Sequence, residues 1–96
     1  MDKKDENIAQ LSMCLDIIDD VKDDIKKLIE KLTRYCKNAE DYIQTLKELY
    51  PEKEHLEFTE WHVDSIKIFL KDIKKNIDNI EMTTQNANLE LEVYKW

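Results

Sequence analysis

The residues of this chain that are best suited to metal binding or catalysis are two histidines, two cysteines and a group of aspartates. Glu52 and His55 have the Glu-x-x-His spacing of di-iron helical bundles, which use two such motifs and further carboxylates that project inward. Only one copy of the motif occurs here, and His62 is the only other histidine. Because the chain contains no glycine, it also lacks any glycine-rich phosphate-binding loop. We therefore predict that the protein is not an enzyme and has no catalytic, metal or cofactor site.

Cys14 and Cys36 are too far apart to form a disulfide within one chain. On one continuous helix, which rises about 1.5 Å per residue, their separation is roughly 33 Å, far beyond the reach of a disulfide. We expect both thiols to be reduced and partly buried, as in cytoplasmic or nuclear proteins. The chain has neither a long apolar run nor a signal peptide, so we expect an intracellular, cytoplasmic protein, with the nucleus as the alternative.

Five aspartates lie close together in the first part of the chain and form an acidic cluster: Asp16, Asp19, Asp20, Asp23 and Asp24. Their spacing places them on the outer side of a helix, without the convergent geometry of a calcium or magnesium loop. Such a cluster is either a solvated face or a docking patch for a basic partner. The net charge is −7 and Arg34 is the only arginine, which argues against direct binding to nucleic acids or anionic membranes.

Apolar residues recur at spacings of three and four on both sides of Pro51, the only proline. The first stripe runs from Ile8 to Tyr50 and the second from Leu56 to Tyr94. An apolar residue every 3.5 positions on average keeps one seam of a helix turned towards a partner helix. With 39% charged and 42% hydrophobic residues and no glycine, the composition also favours long helices.

The two stripes predict an all-α fold, in which a single domain forms a long antiparallel helical hairpin that is coiled-coil-like in its packing. We expect helix 1 over about residues 5–49, the turn within residues 50–59 and helix 2 over about residues 60–94. Pro51 stops helix 1 because its ring removes a backbone donor and disfavours helical geometry at the preceding residue.

Both ends of helix 2 leave an alternative in the sequence. Thr59 can cap a helix that begins at Glu60, whereas Pro51 and Glu52 allow an earlier start. At the other end, the residues from Leu89 to Val93 alternate between apolar and acidic. A lone strand would have no partner, so we predict that this segment stays helical.

Each stripe has a polar residue in its interior, Lys22 in the first and Thr84 in the second. When the chain folds at the turn, pairing of like positions sets Lys22 opposite Thr84, and pairing of unlike positions sets it opposite Ala87. A polar residue at one core position lowers stability but penalises slipped registers. We predict that Lys22 and Thr84 fix the alignment, the alternative being that Lys22 extends to water past a small neighbour.

Both helices carry more apolar residues than one seam requires. In helix 1 the positions just before the stripe residues form a first strip, which starts at Cys14 and continues with Val21, Leu28, Tyr35, Tyr42 and Leu49. In helix 2 the positions opposite the seam form a second strip, interrupted by Lys75, of Trp61, Ile68, Met82, Leu89 and Trp96. Because long exposed apolar strips usually mark interaction surfaces, we predict that both bind partner helices.

The sequence therefore predicts a non-enzymatic interaction or scaffold subunit whose hairpin completes a three- or four-helix bundle by oligomerisation. Its partners would be proteins, either copies of itself or other helical subunits, in a homo- or hetero-oligomer. A third helix within the chain would instead require a break near residues 34–38 or near Asn86. The alternative function is a small acidic inhibitor, for example of phage or viral origin, whose aspartate cluster occupies a basic site on a nucleic-acid-binding target protein.

Overall fold

The computed structural model describes residues 2–52 and 55–95, except for the side chains of His55 and Lys95. Within this part, the protein consists of two long helices and contains no strand. Helix α1 covers Lys3–Leu49 and helix α2 covers His55–Lys95. The predicted all-α helical hairpin is confirmed. Trp96, a predicted member of the second strip, lies outside the described residues.

Helix α1 begins at Lys3, slightly before the predicted start, because Asp2 caps it. The Lys4 backbone N–H donates to Asp2 Oδ1 (2.9 Å), and the Glu6 N–H donates to the Asp2 carbonyl oxygen (3.1 Å). A carboxylate at this position satisfies a backbone donor that the helix leaves free and lies at the positive end of the helix dipole.

Helix α1 ends at Leu49, just before Pro51, where the sequence predicts its end. The Tyr50 N–H still donates to the Leu46 carbonyl oxygen (2.8 Å), whereas Pro51 has no N–H with which to continue the ladder. Pro51 and Glu52 form a turn.

Helix α2 begins at His55, earlier than the predicted start at about residue 60, so Thr59 lies inside the helix and not at its cap. No glycine or proline separates residues 55 and 60, and the extra turn adds Leu56, a half-buried stripe residue. Once a helix is nucleated, each further residue gains a backbone hydrogen bond at little cost. Propagation therefore outweighs the capping preference of the threonine.

The last part of α2 is helical up to Lys95, as predicted. Leu91 is buried, whereas Leu89 and Val93 on either side of it are exposed. This pattern of burial has the period of a helix, whereas a strand would place all three residues on the same side. Neither helix has a break near residues 34–38 or Asn86, so the described residues contain no third helix.

The seam between the helices is buried at one residue per heptad. We label the heptad positions a to g so that the buried residues occupy position a. These residues are Leu15, Lys22, Ile29, Cys36 and Ile43 in α1, and Leu70, Ile77, Thr84 and Leu91 in α2. The other stripe residues, three positions after each a, occupy position d, and their large side chains are 40–63% exposed, except for Ile25, which is less exposed. The hairpin thus covers only half of each predicted stripe.

The chain divides into two compact units, which we call the turn unit (residues 27–74) and the terminal unit (residues 1–26 and 75–96). In the turn unit, ion pairs at position e join the helices: Glu40 with Lys67, and Lys47 with Glu60. These pairs are one heptad apart on both helices, as an antiparallel register requires. In the terminal unit, Lys22 and Lys26 both pair with Glu81, one helical turn from the buried Thr84.

Candidate interaction surface

Lys22 occupies a core position, and carboxylates hold its ammonium group. The side chain is only 6% exposed, and Nζ lies 2.9 Å from Asp23 Oδ1, 3.0 Å from Asp19 Oδ1 and 3.8 Å from Glu81 Oε1. Hydrogen bonds to Asp23 and Asp19 hold the pKa of Lys22 well above its ordinary value. The ammonium group is thus matched by nearby carboxylates, and the role of Lys22 in fixing the alignment stays a prediction.

The acidic cluster is divided between two environments. Asp19 and Asp23 pair with Lys22, so part of the cluster serves the hairpin itself. Asp16, Asp20 and Asp24 are exposed and form no ion pair among the described residues. Only these three are fully available to a basic partner.

The e side of the seam is charged in each unit. In the turn unit, Glu40 Oε1 is out of contact with solvent and lies 2.6 Å from Lys67 Nζ, and this pairing raises the pKa of Lys67. In the terminal unit, Lys26 donates to Glu81, which raises the pKa of Lys26. Partly exposed ion pairs contribute little stability, but they penalise a shifted register. We call this side the charged flank.

The opposite side of the seam is apolar and open. Around a helix, position d lies between a and g, whereas e lies on the other side of a. Leu32 at position d is 50% exposed, although Ile29, one turn earlier at position a, is 7% exposed. The large exposed residues at position d are Leu11, Ile18, Ile80 and Tyr94 in the terminal unit, and Leu32, Leu46, Ile66 and Ile73 in the turn unit. We call these residues, with their neighbours at position g, the open face.

The first predicted strip extends the open face on α1. Its residues occupy position g, next to d, and all are exposed: Val21 in the terminal unit, and Leu28, Tyr35, Tyr42 and Leu49 in the turn unit. Position g of α2 is mostly polar, since it carries His62, Phe69, Asn76, Thr83 and Glu90. The open face is therefore apolar on its α1 side and largely polar on its α2 side.

The second predicted strip lies on a different side of the molecule. Its described apolar residues, all exposed, occupy position f of α2: Trp61, Ile68, Met82 and Leu89. Position f points away from a, so this strip is on the outer side of α2 and is separate from the open face. The rings of Trp61 and the neighbouring His62 form a T-shaped pair, with 5.1 Å between the ring centroids. We call this surface the outer strip.

The sequence reasoning missed the open half of the seam. Positions a and d are both apolar, so spacing alone does not show which of them a two-helix hairpin buries. The flanking positions contain the information that distinguishes the two. Position e carries charges of opposite sign on the two helices, whereas position g of α1 is apolar. A hairpin that pairs its e positions turns its d positions towards solvent.

The described residues offer no alternative site of another kind. Their histidine, cysteine, aspartate and glutamate side chains include no group of three or more that could hold a metal ion. Neither described helix has a segment that is long and apolar enough to cross a membrane. Of the two free thiols, Cys36 is buried as expected, whereas Cys14 is exposed.

Comparisons with known proteins add no functional information, so a functional proposal for this chain rests on the surfaces described above. No protein-family model, no curated protein and no solved structure matches this chain.

Proposed function

We propose that the protein is a non-enzymatic interaction subunit that assembles with partner helices through coiled-coil packing. The observation that carries this proposal is the apolar surface that the hairpin leaves uncovered on both helices. Tyr42 on the open face is 72% exposed and Trp61 on the outer strip is 64% exposed. Leu28 on the open face and Ile68 on the outer strip are also exposed, and complete burial of one such aliphatic side chain is worth about 1.5–3 kcal/mol, so covering either surface favours association.

The form of the open face favours helices as partners. Its residues recur at positions d and g along α1, and at position d along α2. A helix laid along such a surface inserts its side chains between residues that are spaced by threes and fours. Lys22 and Thr84 are buried, and we predict that they hold the hairpin in one register, in which it presents this surface in one arrangement.

A paired set of variants tests the proposal. Replacing Leu28, Tyr35 and Tyr42 by glutamate charges the α1 side of the open face and should abolish assembly, measured as the mass of the protein and of its complexes by light scattering. Replacing Asp16, Asp20 and Asp24 by asparagine is the matched control, since it alters an exposed patch on the same helix. The proposal is lost if the glutamate variant assembles like the wild type.

The exposed part of the acidic cluster supports a second candidate function, an acidic inhibitor that occupies a basic site on a nucleic-acid-binding protein. Asp16, Asp20 and Asp24 are exposed and form no ion pair among the described residues. This candidate predicts the reverse result in the same experiment. The asparagine variant would lose its target, and the glutamate variant would retain it. Asp19 and Asp23 are left unchanged because they hold Lys22.

A further inference from the structure

We infer that the open face is closed by a second copy of this chain in antiparallel orientation, so that two hairpins form a four-helix bundle. This inference rests on the proposed function and names the first partner of the interaction subunit. In a four-helix bundle, two layers of two helices each cover one another. The half-exposed residues at position d of both helices lie where the core of such a bundle would be. A two-fold axis lets the same surface serve both copies.

The chain exposes more surface than a compact monomer of its mass, and this excess is large enough to supply the interface of a stable dimer. The chain has 8076 Å² of accessible surface, whereas a folded monomer of 11.6 kDa exposes about 5,800 Å². The excess is therefore about 2,200 Å² per chain. Obligate homodimers bury roughly 2,000–5,000 Å² in total. Covering even half of the excess on each copy reaches that range.

The two sides of the open face indicate both the partner and its orientation. In a face-to-face dimer with antiparallel copies, the two-fold axis sets α1 opposite α1 and α2 opposite α2. In a parallel dimer it sets α1 opposite α2. The apolar g residues of α1, such as Leu28 and Tyr35, then face one another only in the antiparallel dimer. The parallel dimer would set them against the polar g residues of α2, such as Asn76 and Thr83.

The distribution of charge favours the same orientation. Residues 3–26 of α1 include seven acidic residues and four lysines, a net charge of −3, whereas residues 27–49 of the same helix include four acidic and five basic residues, a net charge of +1. The parallel dimer, which pairs α1 with α2, would set residues 3–26 opposite residues 75–95, whose net charge is −2. The antiparallel dimer sets the acidic part of each α1 opposite the basic part of the other, which lowers the repulsion between copies.

Self-association leaves the outer strip uncovered. Trp61 and Ile68 lie at position f, on the side of α2 away from the seam, and neither is part of the open face. In the dimer this strip remains available for other helical subunits. The same position also supplies a control for the experiment, because a charge placed there should not disturb the dimer.

The mass of the purified chain tests self-association. Light scattering at about 100 µM should give twice the chain mass of 11.6 kDa. Leu32→Glu and Tyr35→Glu should give the monomer mass with helical circular dichroism retained, since both side chains are at least half exposed within one hairpin. Ile68→Glu should remain dimeric. Two variants are used on the open face so that a folding defect in one does not decide the test.

A monomeric wild type would overturn the inference, as would an Ile68→Glu variant that dissociates while Leu32→Glu does not. Either result leaves the proposed function standing if partner binding still depends on Leu28, Tyr35 and Tyr42. Loss of that dependence is the separate result that removes the proposed function.

Disulfide trapping tests the orientation. Leu28 lies near the middle of α1 and therefore close to the two-fold axis of an antiparallel dimer, whereas Cys14 lies about 18 Å from the middle of the helix. Under mild oxidation, the Cys14→Ser/Leu28→Cys variant should form a covalent dimer rapidly. The wild type, with Cys14 exposed and Cys36 buried, should form it at least tenfold more slowly. Equal rates, which the parallel dimer predicts because it sets α1 opposite α2, or the reverse order of rates would overturn the antiparallel arrangement.

Discussion

At the scale of single residues, Lys22 links the core to the acidic cluster. Its side chain fills position a of the seam, while its ammonium group reaches Asp19 and Asp23 on the same helix and Glu81 on the other. The polar break in the first stripe and two of the clustered aspartates, which the sequence presents as separate features, are therefore one structural feature. A buried lysine without such carboxylates would be strongly unfavourable.

The pKa of Lys22 predicts a pH dependence of stability. Because hydrogen bonds to Asp23 and Asp19 raise this pKa in the folded state, the protonated amine stabilises the fold at neutral pH. The contribution is complete below the ordinary lysine pKa of about 10.4 and is lost as the pH rises through the folded-state pKa. Lys22→Met should therefore lose less stability than the wild type between about pH 10 and pH 12, as measured by urea unfolding followed by circular dichroism.

The control for this prediction is Lys27→Met, which removes an exposed lysine from the same helix. It should retain the alkaline slope of the wild type, because Lys22 and its carboxylate partners are unchanged in this variant. Equal slopes for the wild type and Lys22→Met would contradict the assigned pairing.

At the scale of the helices, the side of α2 that faces the seam can be tested with two isoleucines. Ile77 at position a is 5% exposed and Ile68 at position f is 60% exposed. Truncation of a buried isoleucine to alanine removes packed methyl groups and leaves a cavity, at a cost of about 2–5 kcal/mol. Ile77→Ala should therefore lower the free energy of unfolding by about 3 kcal/mol, and Ile68→Ala by less than about 1 kcal/mol.

Both free energies come from urea titrations at one fixed protein concentration, since association would otherwise contribute. Similar losses for the two variants would mean that α2 does not turn position a inwards.

The charged flank predicts a coupling between Lys47 and Glu60. Lys47→Glu and Glu60→Lys should each lower stability, because each sets like charges together next to the turn. The double exchange should recover most of the loss. A double-mutant cycle on thermal unfolding should give a coupling of roughly 0.5 kcal/mol, as expected for a partly exposed pair. Additive losses would show that these residues are not neighbours and that the register near the turn is different.

The sequence predicted the positions of the helices better than it predicted which of their faces pack together. The unbroken spacing and Pro51 were sufficient for the two helices and the end of α1. For the start of α2 the sequence left two alternatives, and His55 lies between them, because capping at Thr59 is a weaker preference than continued helix formation. The open face was missed because spacing alone does not show whether the hairpin buries position a or position d. The buried position depends on the side of the seam on which charged residues of the two helices pair. That is a property of two helices together and not of one stripe.

At the scale of the whole molecule, the apolar surfaces and the charge have opposite effects on association. The open face favours self-association, whereas a net charge of −7 on each copy opposes it. Within one hairpin, the ion pairs of the charged flank are satisfied by the chain itself. They therefore leave little complementary charge to attract a second copy, and apolar burial must supply the attraction.

This balance predicts that salt strengthens the dimer. Raising the ionic strength from about 10 mM to about 150 mM shortens the screening length from about 30 Å to about 8 Å, which reduces repulsion between the acidic copies and leaves apolar burial almost unchanged. The dissociation constant from sedimentation equilibrium should fall as salt is added. The variant with Asp16, Asp20 and Asp24 changed to asparagine should show a smaller change, because each of its copies carries three fewer negative charges. Dissociation on addition of salt would instead mean that ion pairs between copies hold the dimer, and the apolar open face would not be its interface.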